Sequence, residues 1–355
     1  MKYLVECLPR IGCTSIAVHA NERPVVASLH PSTLELKTVS GDVSVSIPLP
    51  HNVDIKCSYE FKACGDRDYV LRLRNRNEDV VGNRELNKSR NFLMSLPEGK
   101  WGKKDLLDLG QFKLTCLCCG SAIIDAENCF KLNEMPSEFW MELMDYWHCH
   151  KPDEPTGACE TGRYSAKQNS LNPCTKELLV GGSFLLANAG TFTGRVICDG
   201  NLLRCSKCNV TLGEKTKEQL YKIYKYNMKL SSLNGEECSF FPPENDIVFT
   251  ILNHVKGNSA RHILLKCEDK KVHVWIFAID ISVTLSDGAI IRNCMKVLYQ
   301  EDVKVEGNHN IDDATVNHIP MKCFLAALDG VNTLLPKNNA KMGPWNVSYI
   351  PMVIE

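Results

Sequence analysis

Cys116-Leu117-Cys118-Cys119-Gly120 and Cys205-Ser206-Lys207-Cys208-Asn209 carry one pattern twice: a Cys-x-x-Cys pair followed by a residue suited to a tight turn. Two thiolates three positions apart can converge on one ion, and four of them make the tetrahedral sulfur shell that zinc favours. Gly120 suits the first turn because it has no Cβ to resist left-handed backbone, and Asn209 tolerates the same geometry in the second. Residues 120–204 separate the pairs, so the spacing predicts a fold drawn together across a metal rather than a small local finger. Cys116, Cys119, Cys205 and Cys208 are the expected zinc ligands; the alternative is two unrelated pairs of buried cysteines. Cys118 could replace a neighbour only with poorer spacing. A shell of four thiolates has no open position for water, which predicts a structural metal and argues against metal hydrolysis.

Outward from the first knuckle, Leu114 leads in along a strand and residues 122–124 lead out along another. Pro136-Ser137 open a predicted helix on which Trp140, Leu143, Met144 and Trp147 follow the spacing of one apolar face, ending at His148-Cys149-His150 before Pro152. Residues 151–175, rich in Pro, Gly, Ser, Thr and Asn, read as a long exposed loop. Gly181-Gly182-Ser183-Phe184-Leu185-Leu186 then resumes a buried element. Cys149 and His150 admit three readings. They could form a second metal site with Cys129, Cys159 or Cys174; they could be a helix end in which His caps carbonyls while Cys149 is buried; or Cys149 could be a thiol activated by its neighbouring His, the one weak candidate for a catalytic residue.

The flanking regions read as mostly β before the knuckles and mixed after them. Residues 15–19 and 33–37 have strand patterning, and Val43, Val45 and Ile47 fall on one face of a strand ending at Pro48. In residues 69–76, Tyr69, Leu71 and Leu73 face one way and Arg72, Arg74 and Arg76 the other, which reads as a solvated strand face or a surface for an acidic partner. Residues 83–104 read as a polar helix or loop. After Pro242-Pro243, residues 272–285 are apolar on both faces, as in a central strand covered on each side. Residues 295–299 give a further strand. Met321, Phe324, Leu325, Leu328, Val331 and Leu335 form the buried stripe of a helix that starts beside Pro320 and stops at Pro336, and residues 347–354 read as a closing strand. Three regions are expected: 1–110 (β-rich), 111–235 (zinc-binding) and 236–355 (α+β).

Of 355 residues, 44% are hydrophobic and 23% charged, and 41 basic against 42 acidic residues leave a net charge of −1, in the range of an ordinary globular protein. Direct nucleic-acid binding is disfavoured by that balance. The chain has 18 cysteines but no apolar core of signal-peptide length at Met1–Arg10, which predicts reduced thiols or metal ligands in a cytosolic or nuclear protein. No stretch approaches membrane-spanning length. Walker, dinucleotide, GxSxG and HExxH signatures are missing, and His273, inside an apolar strand, reads as a core or edge residue.

The series Cys116-Leu117-Cys118-Cys119-Gly120, Trp147-His148-Cys149-His150, Gly182-Ser183-Phe184-Leu185-Leu186 and Cys205-Ser206-Lys207-Cys208-Asn209-Val210-Thr211-Leu212-Gly213-Glu214 resembles, in motif and order, the HECT-like family of ubiquitin-conjugating-enzyme-binding proteins. The resemblance implies binding of a ubiquitin-conjugating enzyme and ubiquitin-ligase activity through a thioester-forming cysteine. Fungal members imply a role in pre-mRNA cleavage and polyadenylation through the endonuclease subunit of that machinery, hence nucleus and cytoplasm. The second knuckle also resembles the β-tent folds of the yippee and cereblon groups, in which a four-cysteine zinc clamps two sheets. The fold expectation is therefore α+β and β-rich, with a zinc-clamped β-tent-like centre flanked by β-rich and α+β regions. Two departures qualify it. No tryptophan between Trp147 and Trp275 supplies a cereblon-type aromatic cage, and no segment matches the catalytic lobe of authentic HECT ligases.

Overall fold

The structure is a computed structural model that describes residues 1–41, 43–56, 58–76, 99–129, 131–135, 173–217, 219–232, 238–268, 270–302 and 311–354. The expected helix from Pro136 with Cys149 and His150, Cys159, nearly all of the 151–175 loop and residues 83–98 lie outside these. Among the described residues the fold is β-rich, with four sheets, in two compact units: Met1–Pro97 with Thr250–Met352, and Glu98–Phe249 with Val353–Glu355.

In the first unit the strand Lys270–Thr284 is central. Val272 and His273, of opposite parity, are both buried, as are Val283 and Thr284, so this strand is covered on both faces as its sequence predicts. Ile290–Glu301 pairs along one edge; His262–Cys267 and the N-terminal strand Lys2–Leu8 divide the other. The first and last thirds of the chain thus share one ten-stranded sheet, which continues through Cys13–His19 to Asp68–Arg74 on one side and to Trp345–Pro351 on the other.

Pro24–His30, Thr33–Thr38 and Ser44–Pro48 form a separate three-stranded sheet, whose Leu34, Leu36 and Ile47 share a core with Val5, Ile16, Leu71 and Leu73. Val43 is the exception to its expected face: the strand begins one residue later, and Val43 is exposed in the turn. Helix His318–Leu334 buries Met321, Phe324, Leu325 and Leu328. Each such side chain contributes about 1.5–3 kcal/mol of burial. Pro320 is tolerated because amides in a helix's first turn have no intrahelical acceptor to lose. The Ser348 hydroxyl donates to the Leu328 carbonyl at 2.8 Å, fastening the helix to the closing strand.

The second unit contains a seven-stranded and a four-stranded sheet. The larger runs in space from Lys131–Glu134 through Glu177–Val180, Phe184–Ala187, Tyr221–Tyr224, Thr211–Lys215 and Leu202–Cys205 to Val196–Asp199; the smaller runs Cys238–Phe240, Met228–Ser232, Phe112–Cys116, Ala122–Asp125. Leu114, Ile123 and Met228 from the smaller sheet join Leu185, Leu203, Leu212 and Ile223 from the larger in one apolar cluster, with Trp101, Leu106 and Phe249. No helix among the described residues is long and apolar enough to cross a membrane.

Gly213 sits where two strands of the larger sheet approach too closely for a side chain: a Cβ there would lie 1.9 Å from the Lys222 carbonyl oxygen. Relief requires moving backbone, not a flexible side chain. Gly213→Ala is therefore expected to cost about 3 kcal/mol, at the upper end for overpacking, read as a lower urea midpoint for the full chain. An unchanged midpoint would contradict the close approach.

Candidate metal centre

Each knuckle is the turn of a β-hairpin. Phe112–Cys116 returns as Ala122–Asp125, and Leu202–Cys205 returns as Thr211–Lys215. In both, the register slips just ahead of the first cysteine, between Leu114 and Thr115 and between Leu203 and Arg204. The turn bonds repeat as well. Cys116 N–H donates to Ser121 O at 2.8 Å and Gly120 N–H to Cys116 O at 2.9 Å; Cys205 N–H donates to Val210 O and Asn209 N–H to Cys205 O, both at 2.9 Å. Gly120 has φ +70° and Asn209 φ +60°, so both occupy the left-handed region that their residue types suggest.

The hairpins belong to different sheets, and their tips bring four sulfurs together. The Sγ atoms of Cys116, Cys119, Cys205 and Cys208 all lie within 4.8 Å of one another. Cys116 and Cys208 are 3.6 Å apart, and Cys119 and Cys205 3.7 Å. Disulfides require about 2.05 Å. A tetrahedral shell with metal–sulfur bonds of about 2.3 Å separates its sulfurs by about 3.8 Å, so this donor set fits zinc. Cys118 is exposed and outside the cluster, as its spacing suggests.

Local hydrogen bonds bias these thiols unequally. The Ser121 hydroxyl and then its backbone N–H lower Cys119 to about 6. At Cys205 burial raises the thiol, but Ser121 Oγ and the N–H groups of Cys208 and Lys207 outweigh it and the net shift is downward. Burial raises Cys116 despite N–H bonds from Cys119 and Cys118. The Val210 N–H lowers Cys208, yet burial and the three neighbouring sulfurs push it up overall. The neighbouring sulfurs thus act unequally, their hydrogen bonds lowering Cys119 and raising Cys208. Ser121, with Oγ 3.0 Å from Cys119 Sγ and 3.2 Å from Cys205 Sγ, joins the two knuckles. A serine two residues past a CxxC pair carries no sequence signal for that role. Arg195, just ahead of the strand Val196–Asp199, and Asp125 of the smaller sheet form an ion pair at 2.8 Å.

Lys225 is a second centre that the sequence did not announce. Its side chain is fully buried, and its Nζ donates to the carbonyls of Lys100 (3.2 Å), Trp101 (3.0 Å), Gly181 (2.7 Å) and Gly182 (3.1 Å). Burial lowers its pKa to about 7, with Asp105 opposing that shift. The ammonium ties residues 100–101 to Gly181 and Gly182, at the start of the Gly182-Ser183-Phe184 motif. Ser183 in turn donates to the buried Asp246 at 2.6 Å. The motif's polar groups are occupied in holding the unit together.

The other singled-out groups sit elsewhere. Arg72, Arg74 and Arg76 are exposed on the outer face of the Asp68–Arg74 strand and just past its end. His273 is buried, its Nε2 3.3 Å from His262 Nδ1 and its ring against Trp345, which matches the core reading. Cys129 is buried outside the quartet, with burial raising its thiol to about 11 despite a hydrogen bond involving Lys131.

The sequence matches the family described as HECT-like ubiquitin-conjugating enzyme (E2)-binding over residues 6–347. It is similar to an uncharacterized protein of Saccharomyces cerevisiae, 33% identical over 363 aligned positions that cover 99% of this chain and 100% of that relative. It is similar also to an E3 ubiquitin-protein ligase of Mus musculus, 24% identical over 279 positions (67% of this chain, 70% of the relative). A Homo sapiens E3 ubiquitin-protein ligase is 23% identical over 393 positions (93% and 92%). No solved structure matches. With the knuckles, the glycine–serine motif and nearly the whole length accounted for, the chain belongs to the HECT-like ubiquitin-conjugating enzyme (E2)-binding family.

Proposed function

We propose that the chain is a zinc-stabilised protein-binding factor of the ubiquitin system that captures a ubiquitin-conjugating enzyme. The family match over residues 6–347 carries the capture, and the closed quartet of Cys116, Cys119, Cys205 and Cys208, in which every donor needed for a tetrahedral ion comes from the chain, carries the zinc. Zinc held there would supply bonds that clamp two sheets in the manner of a β-tent, without an open position for substrate. By the family resemblance the chain also supports pre-mRNA 3′-end cleavage and polyadenylation, through the endonuclease subunit of that machinery, which implies nuclear as well as cytoplasmic residence.

A second reading, a ligase that carries ubiquitin as a cysteine thioester, is favoured by the names of the mouse and human relatives. Cys149 would be its candidate nucleophile, and with His150 it is also the candidate for a second metal site. Intact-mass analysis of the full chain with ubiquitin, activating enzyme, ATP and a charged conjugating enzyme separates the two. A non-covalent complex without a ubiquitin adduct is the expected result. A reducible adduct that disappears in Cys149→Ala would replace the binding reading with the ligase one.

A further inference from the structure

Beside the first knuckle the second unit has an open groove of about 520 Å³, walled by Leu117, Tyr226, Met228, Phe240, Phe241 and Pro242. Leu117 lies between the first two cysteines of the quartet, is 49% exposed, and is fixed by its N–H donating to Asn227 O at 3.0 Å. Phe240, 53% exposed, stands opposite on Cys238–Phe240, the outer strand of the four-stranded sheet. Single exposed apolar side chains are ordinary on a protein surface; two large ones facing a common groove floored by buried Met228 and Phe241 are the pattern of a contact site.

The described charges at this groove have one sign. Among the described residues Lys100 is the only charged one in its lining, and Lys229 Nζ sits 5.6 Å from the Phe240 ring centroid. No acidic side chain among the described residues lines it. An occupant that fits presents an apolar side chain flanked by carboxylates, so that its anchor fills the groove while its acids meet the lysines.

We propose that this groove is the docking surface for the ubiquitin-conjugating enzyme, taking an apolar side chain beside acidic residues on that enzyme's surface; the inference rests on the binding reading above. The knuckle then has a second role. Because Leu117 is placed by Cys116 and Cys119, metal occupancy shapes one wall of the groove, and stripping the ion weakens capture even where the chain stays folded.

The test is titration of the full-length wild-type chain and variants against a panel of purified ubiquitin-conjugating enzymes by interferometry. Leu117→Ser and Phe240→Ala are expected to weaken the wild-type interaction tenfold or more, with unchanged zinc content and unfolding midpoint. Lys229→Glu should weaken it and flatten its salt dependence. Val39→Ser, which removes a still more exposed apolar side chain in the first unit, should bind as wild type does. Groove variants that keep affinity within twofold while wild type binds would overturn the docking surface and leave the binding reading intact. A wild-type chain that binds no member of the panel would overturn both. Variants that change the chain's own oligomeric state, with enzyme capture preserved, would assign the groove to a second copy and overturn the proposal.

Discussion

Cys205→Ser is expected to unfold the second unit. Metal binding is worth about 10 kcal/mol or more in zinc-finger peptides, while a whole domain is stable by about 5–15 kcal/mol, so loss of one ligand removes most of the margin. Cys205 is fully buried at the junction of two sheets, and a serine there keeps a polar atom without the thiolate that would hold the ion. Chelation of the wild-type chain should act in the same direction, lowering its thermal midpoint by about 10 °C or more and opening the quartet to thiol reagents. Cys118→Ser supplies the contrast: an exposed cysteine outside the cluster should change stability by less than about 0.5 kcal/mol. Equal behaviour of the two variants in urea unfolding would refute a metal-built junction.

Lys225→Met is expected to be nearly as damaging, through different physics. The ammonium is the common donor for four carbonyl oxygens drawn from two separate segments, and a thioether leaves all four without it. Removing one side of a buried charged network costs about 3–5 kcal/mol, because the stranded acceptors stay out of water. Lys225→Arg should not rescue it, since a planar guanidinium cannot converge on four oxygens as one compact ammonium does. Urea unfolding followed by circular dichroism measures both, and zinc content should stay stoichiometric in whatever fraction remains folded. A Lys225→Met midpoint equal to that of wild type would show that water, not Lys225, satisfies those carbonyls.

What could be read from the sequence depended on whether the signal was local. Gly120 and Asn209 revealed their turns because left-handed backbone selects few residue types, and the paired CxxC spacing revealed which sulfurs would meet. The two-sided apolar run around Val272–Val283 and the 3.6-residue stripe of Met321, Phe324 and Leu328 showed their burial in the same way. Pairing partners were not legible. Periodicity reports which face of a strand is buried but not which strand lies beside it, so the union of Lys2–Leu8 with Lys270–Thr284 left no trace. Lys225 was hidden for a related reason: its partners are backbone carbonyls, which every residue has, and between Tyr224 and Tyr226 it looks like one more solvated lysine. Gly213 was visible as part of a motif, but the Lys222 carbonyl that requires it belongs to the next strand. Ser121 joined the knuckles through an ordinary hydroxyl that no spacing rule marks.

The central claim, that one zinc held by two distant hairpins builds the platform on which a ubiquitin-conjugating enzyme docks, is tested most directly by counting metal. Full-length wild type and Cys205→Ser, purified in parallel and dialysed against a weak chelator, should differ by one zinc per chain, present in wild type and lost in the variant. A folded wild-type chain without zinc, or a variant that retains the same zinc as wild type, would contradict it.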